Sequence, residues 1–164
     1  MGSDSDWAIM KKSLEILREF GVGYVVHVAS AHRTTNRALE LARSAHQEGF
    51  EVIIAGAGAA AHLPGVLAAV TPLPVIGIPI NATALQGVDA LYAIVQMPSG
   101  IPVATVAIDG SKNAALLAIQ MLSIKYEELR EKIMKYKDKM VSEVAVKDEK
   151  VQALVREMEQ EENK

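Results

Sequence analysis

An α/β fold is predicted: one parallel sheet covered by helices on both faces, with a long helix at the C-terminal end. Three observations predict it. Short β-branched runs alternate with segments of helical periodicity, the order that builds parallel sheets. Those runs are apolar throughout rather than alternating, as strands buried on both sides are. The small-residue and polar sequences at 30–33, 55–62 and 81–86 follow directly after three of the runs. That is where loops leave the C-terminal ends of strands and where ligands bind in folds of this class. The 164 residues suit a single three-layer domain of flavodoxin-like or Rossmann-like type.

The elements read in order as follows. In 7–20, Ile9, Met10, Leu14, Leu17 and Phe20 fall at helical spacing, and Gly21 supplies the stop. Residues 24–28 form a short β-branched strand. A second helix over 34–48 has Leu39, Leu41, Ala42 and Ala45 on its apolar side and ends at Gly49. The strand over 51–55 is the clearest in the chain, followed by a short helix over 60–70 interrupted near Pro64. A strand between prolines covers 75–80, a helix 87–96, and a strand 103–108. One long helix runs from 113 to about 139, with a polar helical tail to Lys164. Two parts result: an α/β domain over 1–122, and a helical extension over 123–164 that packs on the domain or on a neighbouring subunit. One feature departs from the pattern. The turn over 1–6 reads as a strand-to-helix loop, yet no strand stands ahead of it in this sequence. A sheet of this class calls for one there, in its middle. Either the sheet is one strand short or further chain precedes.

Composition narrows the function. Net charge is −3, so no basic field points to nucleic acid or an anionic membrane. Cysteine is absent, which excludes a disulfide framework, thiol nucleophiles and cysteine metal sites. Apolar stretches break at Gly, Pro and Thr before reaching a membrane-spanning length, and no secretory leader opens the sequence; a cytoplasmic protein is expected.

Four motifs carry candidate chemistry. Gly2-Ser3-Asp4-Ser5-Asp6-Trp7 opens a helix with small and hydroxyl residues, which suits phosphate binding through backbone N–H groups and equally suits plain N-capping. A carboxylate here is better placed to accept hydrogen bonds from ribose hydroxyls than to face a phosphate. Ser30-Ala31-His32-Arg33-Thr34 pairs a proton carrier active near neutral pH with a planar cationic fork, although a loop His beside a solvated Arg is as ordinary a reading. The run from Ala55 to Gly65 has almost no side chains, which lets a ligand lie against backbone or lets strand and helix pack tightly. It lacks the third glycine and acidic partner of a dinucleotide site, and by itself His62 reads as a structural hydrogen-bonder. Gln96-Met97-Pro98-Ser99-Gly100 reads as a defined turn. His27 and His46 receive no role.

Taken together, and in this order, the four motifs resemble the N5-carboxyaminoimidazole ribonucleotide mutase family, also called the phosphoribosylaminoimidazole carboxylase catalytic subunit. The similarity runs from Gly2 to about Leu122. Ser30-Ala31-His32-Arg33 and Ala60-Ala61-His62-Leu63-Pro64-Gly65 look like the mutase class; the class that adds free CO2 to aminoimidazole ribonucleotide typically has Lys after the first His and lacks the second motif. Departures are Thr35 where Pro is usual, Ala59 where a second Gly is usual, and the absent first strand. An Ala at 59 must hold a negative φ or be strained.

The resemblance implies an enzyme of purine biosynthesis that moves a carboxylate within a ribonucleotide through a bound CO2. It implies Ser3, Ser5 and Arg33 on the phosphate and Asp6 on the ribose hydroxyls. Ser30 and the backbone of Ala57, Gly58 and Leu63 would line the imidazole and carboxylate, with His32 as the proton carrier. His62 would stand beside the ligand loop. A homo-octamer is implied, with Gln96, Met97 and Pro98 bordering a neighbour's site. The chemistry asks for no metal, flavin or covalent nucleophile, only proximity and one mobile proton. The competing readings are the CO2-using carboxylase and a non-catalytic flavodoxin-like binding domain. Against the latter, no acidic phospho-acceptor ends the 51–55 strand and the flavin-loop pattern is missing.

Overall fold

The structure is a computed structural model and describes residues 1–162. A 3-10 turn (Asp4–Asp6) leads into α1 (Trp7–Phe20), followed by α2 (Thr35–Ser44), β1 (Ile53–Gly58), α3 (Leu63–Ala68), β2 (Val75–Ile80), α4 (Val88–Val95), β3 (Ala104–Thr105), α5 (Ser111–Leu122) and α6 (Glu127–Glu162). The strands form one parallel sheet in the order β1-β2-β3.

Alternation along the strands sorts the core into two faces. Ala55 and Ala57 of β1 face α2, α3 and α4, in a core with Ala38, Ala42, Leu67 and Ile94. Ile76, Ile78 and Ile80 of β2 face the other way, onto Ala114 and Ala118 of α5, with Ile9 and Met10 of α1 alongside. Small residues set the layer spacing. A Cβ on Gly77 would lie 2.4 Å from Ile94 Cγ2, so α4 lies directly on the strand backbone there. Two buried hydroxyls lock α1 to α5: Ser13 Oγ donates to the Ser111 carbonyl at 2.8 Å, and Ser111 Oγ donates to the Ile9 carbonyl at 2.7 Å. Gly21 ends α1 in the left-handed region at φ 75°, with its N–H on Arg18 O and that of Val22 on Leu17 O.

The structure shifts the 51–55 strand to Ile53–Gly58 and ends the 34–48 helix at Ser44, and it corrects four further expectations. Residues 24–28 pair with no strand, and Val25, Val26 and Val28 are exposed. An apolar cavity separates them from the outer edge of β1, and the backbone bonds at their end go to Met1, from Met1 N to His27 O at 3.0 Å and from Ala29 N to Met1 O at 2.9 Å. The 103–108 strand shrinks to Ala104–Thr105, because only those residues pair with β2, at Ile76 and Gly77. The 60–70 helix shrinks to Leu63–Ala68, with Pro64 in its first turn, where a missing N–H costs nothing. The long C-terminal helix is two helices with a turn at 123–126, where Ser123 Oγ donates to Gln120 O. That turn brings Leu129, Ile133 and Tyr136 back onto Leu17 and Phe20 of α1; a straight helix would carry them away. Beyond Met140, α6 displays Val141, Val144, Val151, Leu154, Val155 and Met158 to solvent.

Candidate active site

Three chain segments meet above the C-terminal end of β1: the 3-10 turn, the loop 29–34, and the loop from Ala57 to Leu63. Between them lies a cavity of about 220 Å³. Its walls include Ser3, Ser5, Asp6, Ser30, His32, Arg33, Ala57, Gly58, His62 and Leu63. Every residue that sequence reading placed on the ligand therefore shares one cavity, apart from the turn at 96–98. Gln96 and Pro98 are exposed, and Met97 packs over Gly65, whose Cβ would meet its sulfur at 2.7 Å. None of the three lines this cavity. Ala82, in the loop after β2, closes the wall beside Gly58 and was not singled out from sequence; its only signal was its place after a strand.

The 3-10 turn is held by a reciprocal cap. Ser3 Oγ accepts from Ser5 N at 3.3 Å, while Asp6 Oδ2 accepts from Ser3 N at 3.1 Å. Ser5 Oγ lies 2.9 Å from Ser3 Oγ, which sets the two hydroxyls side by side. Asp6 is buried, so its carboxylate is fixed rather than solvated. The capping reading of this motif holds, and the two hydroxyls also border the cavity.

The second loop is built by one serine. Ser30 Oγ accepts from the backbone N–H groups of His32 and Arg33, at 3.3 and 3.2 Å. Thr34 Oγ1 accepts from Ser30 N at 2.8 Å, and Thr35 Oγ1 donates to Ala31 O at 2.7 Å. These local bonds supply the partners that a loop outside the sheet lacks. Arg33 reaches across and donates from Nη2 to Gly2 O at 3.3 Å, tying this loop to the 3-10 turn. Its other N–H donors remain available to an anion.

The third loop brings up His62. Its Nδ1 lies 2.7 Å from His32 Nε2, and the rings meet edge to face at 85°. One nitrogen must donate and the other accept, so the pair holds a proton between two rings. Ala59 stands at φ 52°, in the left-handed region that a Cβ disfavours, so the strain expected of a non-glycine residue here is present. Gly58 has no room for a side chain: a Cβ would meet Ala82 Cβ at 2.6 Å and Ile80 O at 3.1 Å. The arrangement can seat an anion between hydroxyls and a guanidinium, hold a polar ring against bare backbone, and offer a mobile proton from an imidazole. Among the described residues no three His, Asp or Glu side chains gather in a metal-binding group.

Comparison with known proteins places this geometry in a family. The family model described as AIR carboxylase matches residues 1–143. The chain is 57% identical over 154 residues to the N5-carboxyaminoimidazole ribonucleotide mutase of Pyrococcus horikoshii, covering 94% of this chain and 87% of that protein. It is 62% identical over 140 residues to the mutase of Pyrococcus abyssi, covering 85% and 80%, and 53% identical over 154 residues to that of Thermotoga maritima, covering 94% and 90%. The crystal structure of Treponema denticola PurE superposes with a TM-score of 0.82 at 29% identity, covering 92% of this chain and 94% of that one. A family match across most of the chain, relatives more than half identical to it, and a shared fold lead to one conclusion: this chain belongs to the AIR carboxylase family.

Proposed function

We propose that this chain is an N5-carboxyaminoimidazole ribonucleotide mutase, an isomerase of purine biosynthesis that moves a carboxylate from the exocyclic nitrogen to the ring carbon of its substrate. The observation that carries the reading is the placement of His32 in one cavity with Ser3, Ser5, Asp6 and Arg33. A proton carrier, an anion-binding set and a buried hydrogen-bond acceptor are what such a ribonucleotide requires. The relatives named above, all called mutases, support it, as does Arg33 directly after His32.

In this reading Arg33 and the hydroxyls of Ser3 and Ser5 hold the phosphate, and Asp6 accepts from the ribose hydroxyls. Ser30 and the backbone of Ala57, Gly58 and Leu63 border the imidazole. His32 gives its proton to the carbamate nitrogen as the N–C bond breaks, releasing CO2 and aminoimidazole ribonucleotide inside the cavity. The ring carbon then attacks CO2, and His32 takes the proton from that carbon, returning to its starting state. No atom is gained or lost, as an isomerisation requires. Holding two fragments in contact turns recombination into an intramolecular event, and His32 supplies acid–base catalysis. His62 orients the His32 ring through the 2.7 Å contact. His32 Nε2 is occupied by that contact, so the proton leaves either through Nδ1 or after the pair parts.

The division into a catalytic domain over 1–122 and an extension over 123–164 belongs to the same proposal, as do a cytoplasmic location and a homo-octamer in which 96–98 borders a neighbour's site. No helix among the described residues is long and apolar enough to cross a membrane. Apolar side chains at Tyr92, Val95 and Ile124, exposed in the single chain, are the surfaces an assembly would cover.

The test is to supply N5-carboxyaminoimidazole ribonucleotide and, separately, aminoimidazole ribonucleotide, each with and without bicarbonate. The mutase converts the first at a rate indifferent to bicarbonate. Turnover seen only with aminoimidazole ribonucleotide and bicarbonate would make the chain a carboxylase instead.

A further inference from the structure

In the free chain the two hydroxyls that border the candidate active site have already given away their protons. Ser3 Oγ lies 3.1 Å from Asp4 Oδ1, and a carboxylate only accepts, so the single Ser3 proton sits on that bond. Ser5 Oγ lies 2.9 Å from Ser3 Oγ; with the Ser3 proton committed, Ser5 is the donor of that pair. The other acceptor within reach of Ser5 Oγ is again a carboxylate oxygen, Asp6 Oδ1 at 3.4 Å. The backbone N–H of Ser5 is shared between Asp4 Oδ1 at 3.1 Å and Ser3 Oγ at 3.3 Å. The protons of this turn therefore run in one direction, from Ser5 to Ser3 to Asp4.

Ser3 and Ser5 line the cavity, whereas Asp4 does not and is exposed. Among the described residues no Lys, Arg or His pairs with Asp4, so in the free chain its carboxylate is met by water and by these donors alone. A phosphate entering the cavity would meet the lone pairs of Ser3 and Ser5 rather than their protons until Asp4 lets go. The guanidinium of Arg33, tied to Gly2 O on the far side of the turn, is not held by Asp4.

We propose that Asp4 is an internal competitor of the ligand's phosphate: its carboxylate holds the Ser3 and Ser5 donors in the free chain and so sets the affinity for any ligand that carries the phosphate. This rests on the reading of Ser3, Ser5 and Arg33 as the phosphate seat. On binding, Asp4 turns out to water, the two hydroxyls rotate toward phosphate oxygens, and the Ser5 N–H is freed. One set of charge-assisted bonds replaces another, so the phosphate gains only the difference between two anions and not the full worth of new bonds. The exposure of Asp4 lets the released carboxylate hydrate at once, which keeps the exchange open. Substrate and product of an isomerase share one phosphate, so the device loosens the hold on both and favours release of product.

Two variants of the full chain test it. Asp4→Asn keeps an acceptor oxygen of the same reach without the charge, and Asp4→Ala removes both. Each is titrated by calorimetry with aminoimidazole ribonucleotide and with the matching ribonucleoside, which lacks the phosphate. Affinity for the ribonucleotide should rise about fivefold in Asp4→Asn and about ten- to thirtyfold in Asp4→Ala, the scale of charge-assisted hydrogen bonds released to the ligand. Affinity for the ribonucleoside should stay within about twofold, which also shows that the cavity is still formed. Salt separates competition from repulsion at a distance. At about 1 M salt the screening length is about 3 Å, so repulsion across solvent fades while competition for donors in contact persists. The gain in Asp4→Ala should therefore remain about fivefold or more there. An unchanged or weakened ribonucleotide affinity in Asp4→Ala, an equal gain for the ribonucleoside, or a gain that vanishes at high salt would each overturn the proposal. If the unaltered chain binds ribonucleoside as tightly as ribonucleotide, the phosphate seat is itself misplaced and the proposal falls with it. A clear preference for the ribonucleotide that ignores both substitutions overturns the role of Asp4 alone.

Discussion

His32 Nε2 lies 2.7 Å from His62 Nδ1, so two loops that follow different segments of the chain are joined by a single proton at the mouth of one cavity. If His62 serves to orient His32, what His62→Leu removes is the hydrogen bond between the two rings. The expected result is a fall in kcat of about two- to tenfold, the scale of a single hydrogen bond, with KM unchanged. Steady-state kinetics decides it. A raised KM at constant kcat would mean that His62 holds substrate instead.

Arg33 is bonded to Gly2 O and borders the cavity beside Ser3 and Ser5. Arg33→Lys keeps the charge and loses the planar fork. Substrate affinity should weaken by about one to two powers of ten, the loss of a charge-assisted hydrogen bond. Equilibrium binding of aminoimidazole ribonucleotide reads this directly, and an unchanged affinity would place the guanidinium off the phosphate.

Ala59 at φ 52° carries strain that glycine does not. Part of the gain from Ala59→Gly is offset by the greater freedom of glycine in the unfolded chain. A net stabilisation of about 0.5–1 kcal/mol is expected, read as a Tm rise of about 1–4 °C. A fall in Tm would show that the Ala59 methyl group makes a contact worth more than its strain.

If 96–98 borders a neighbour's site, dissociation should abolish activity while the chain stays folded. Light scattering, circular dichroism and activity followed through one dilution series test this. A fully active monomer would return Gln96, Met97 and Pro98 to a structural role, for which the packing of Met97 on Gly65 already provides.

Where neighbours in sequence decide the conformation, the sequence was readable. The α1 helix follows from apolar spacing and Gly21, and β2 from an apolar run bounded by prolines. The candidate site was readable for the same reason: its residues cluster in three short loops, each directly after a strand-like run or opening a helix, and the topology brings those loops together. What failed depends on partners distant in the chain. Residues 24–28 have strand composition, yet a strand is made by its neighbour, and between them and β1 there is a cavity. The turn at 123–126 has no proline or glycine to announce it; it exists because Leu129, Ile133 and Tyr136 gain more by returning to Phe20. The His32–His62 contact joins residues thirty apart, which no local pattern encodes.

The central claim is that His32 carries the proton. His32→Asn keeps a polar side chain of similar size that cannot exchange a proton near neutral pH. Turnover of N5-carboxyaminoimidazole ribonucleotide and equilibrium binding of aminoimidazole ribonucleotide, measured on the same preparation, test it most directly. The account predicts turnover lost by three or more powers of ten, roughly the share of general acid–base catalysis, with affinity within about threefold. Turnover close to that of the unaltered chain would contradict it.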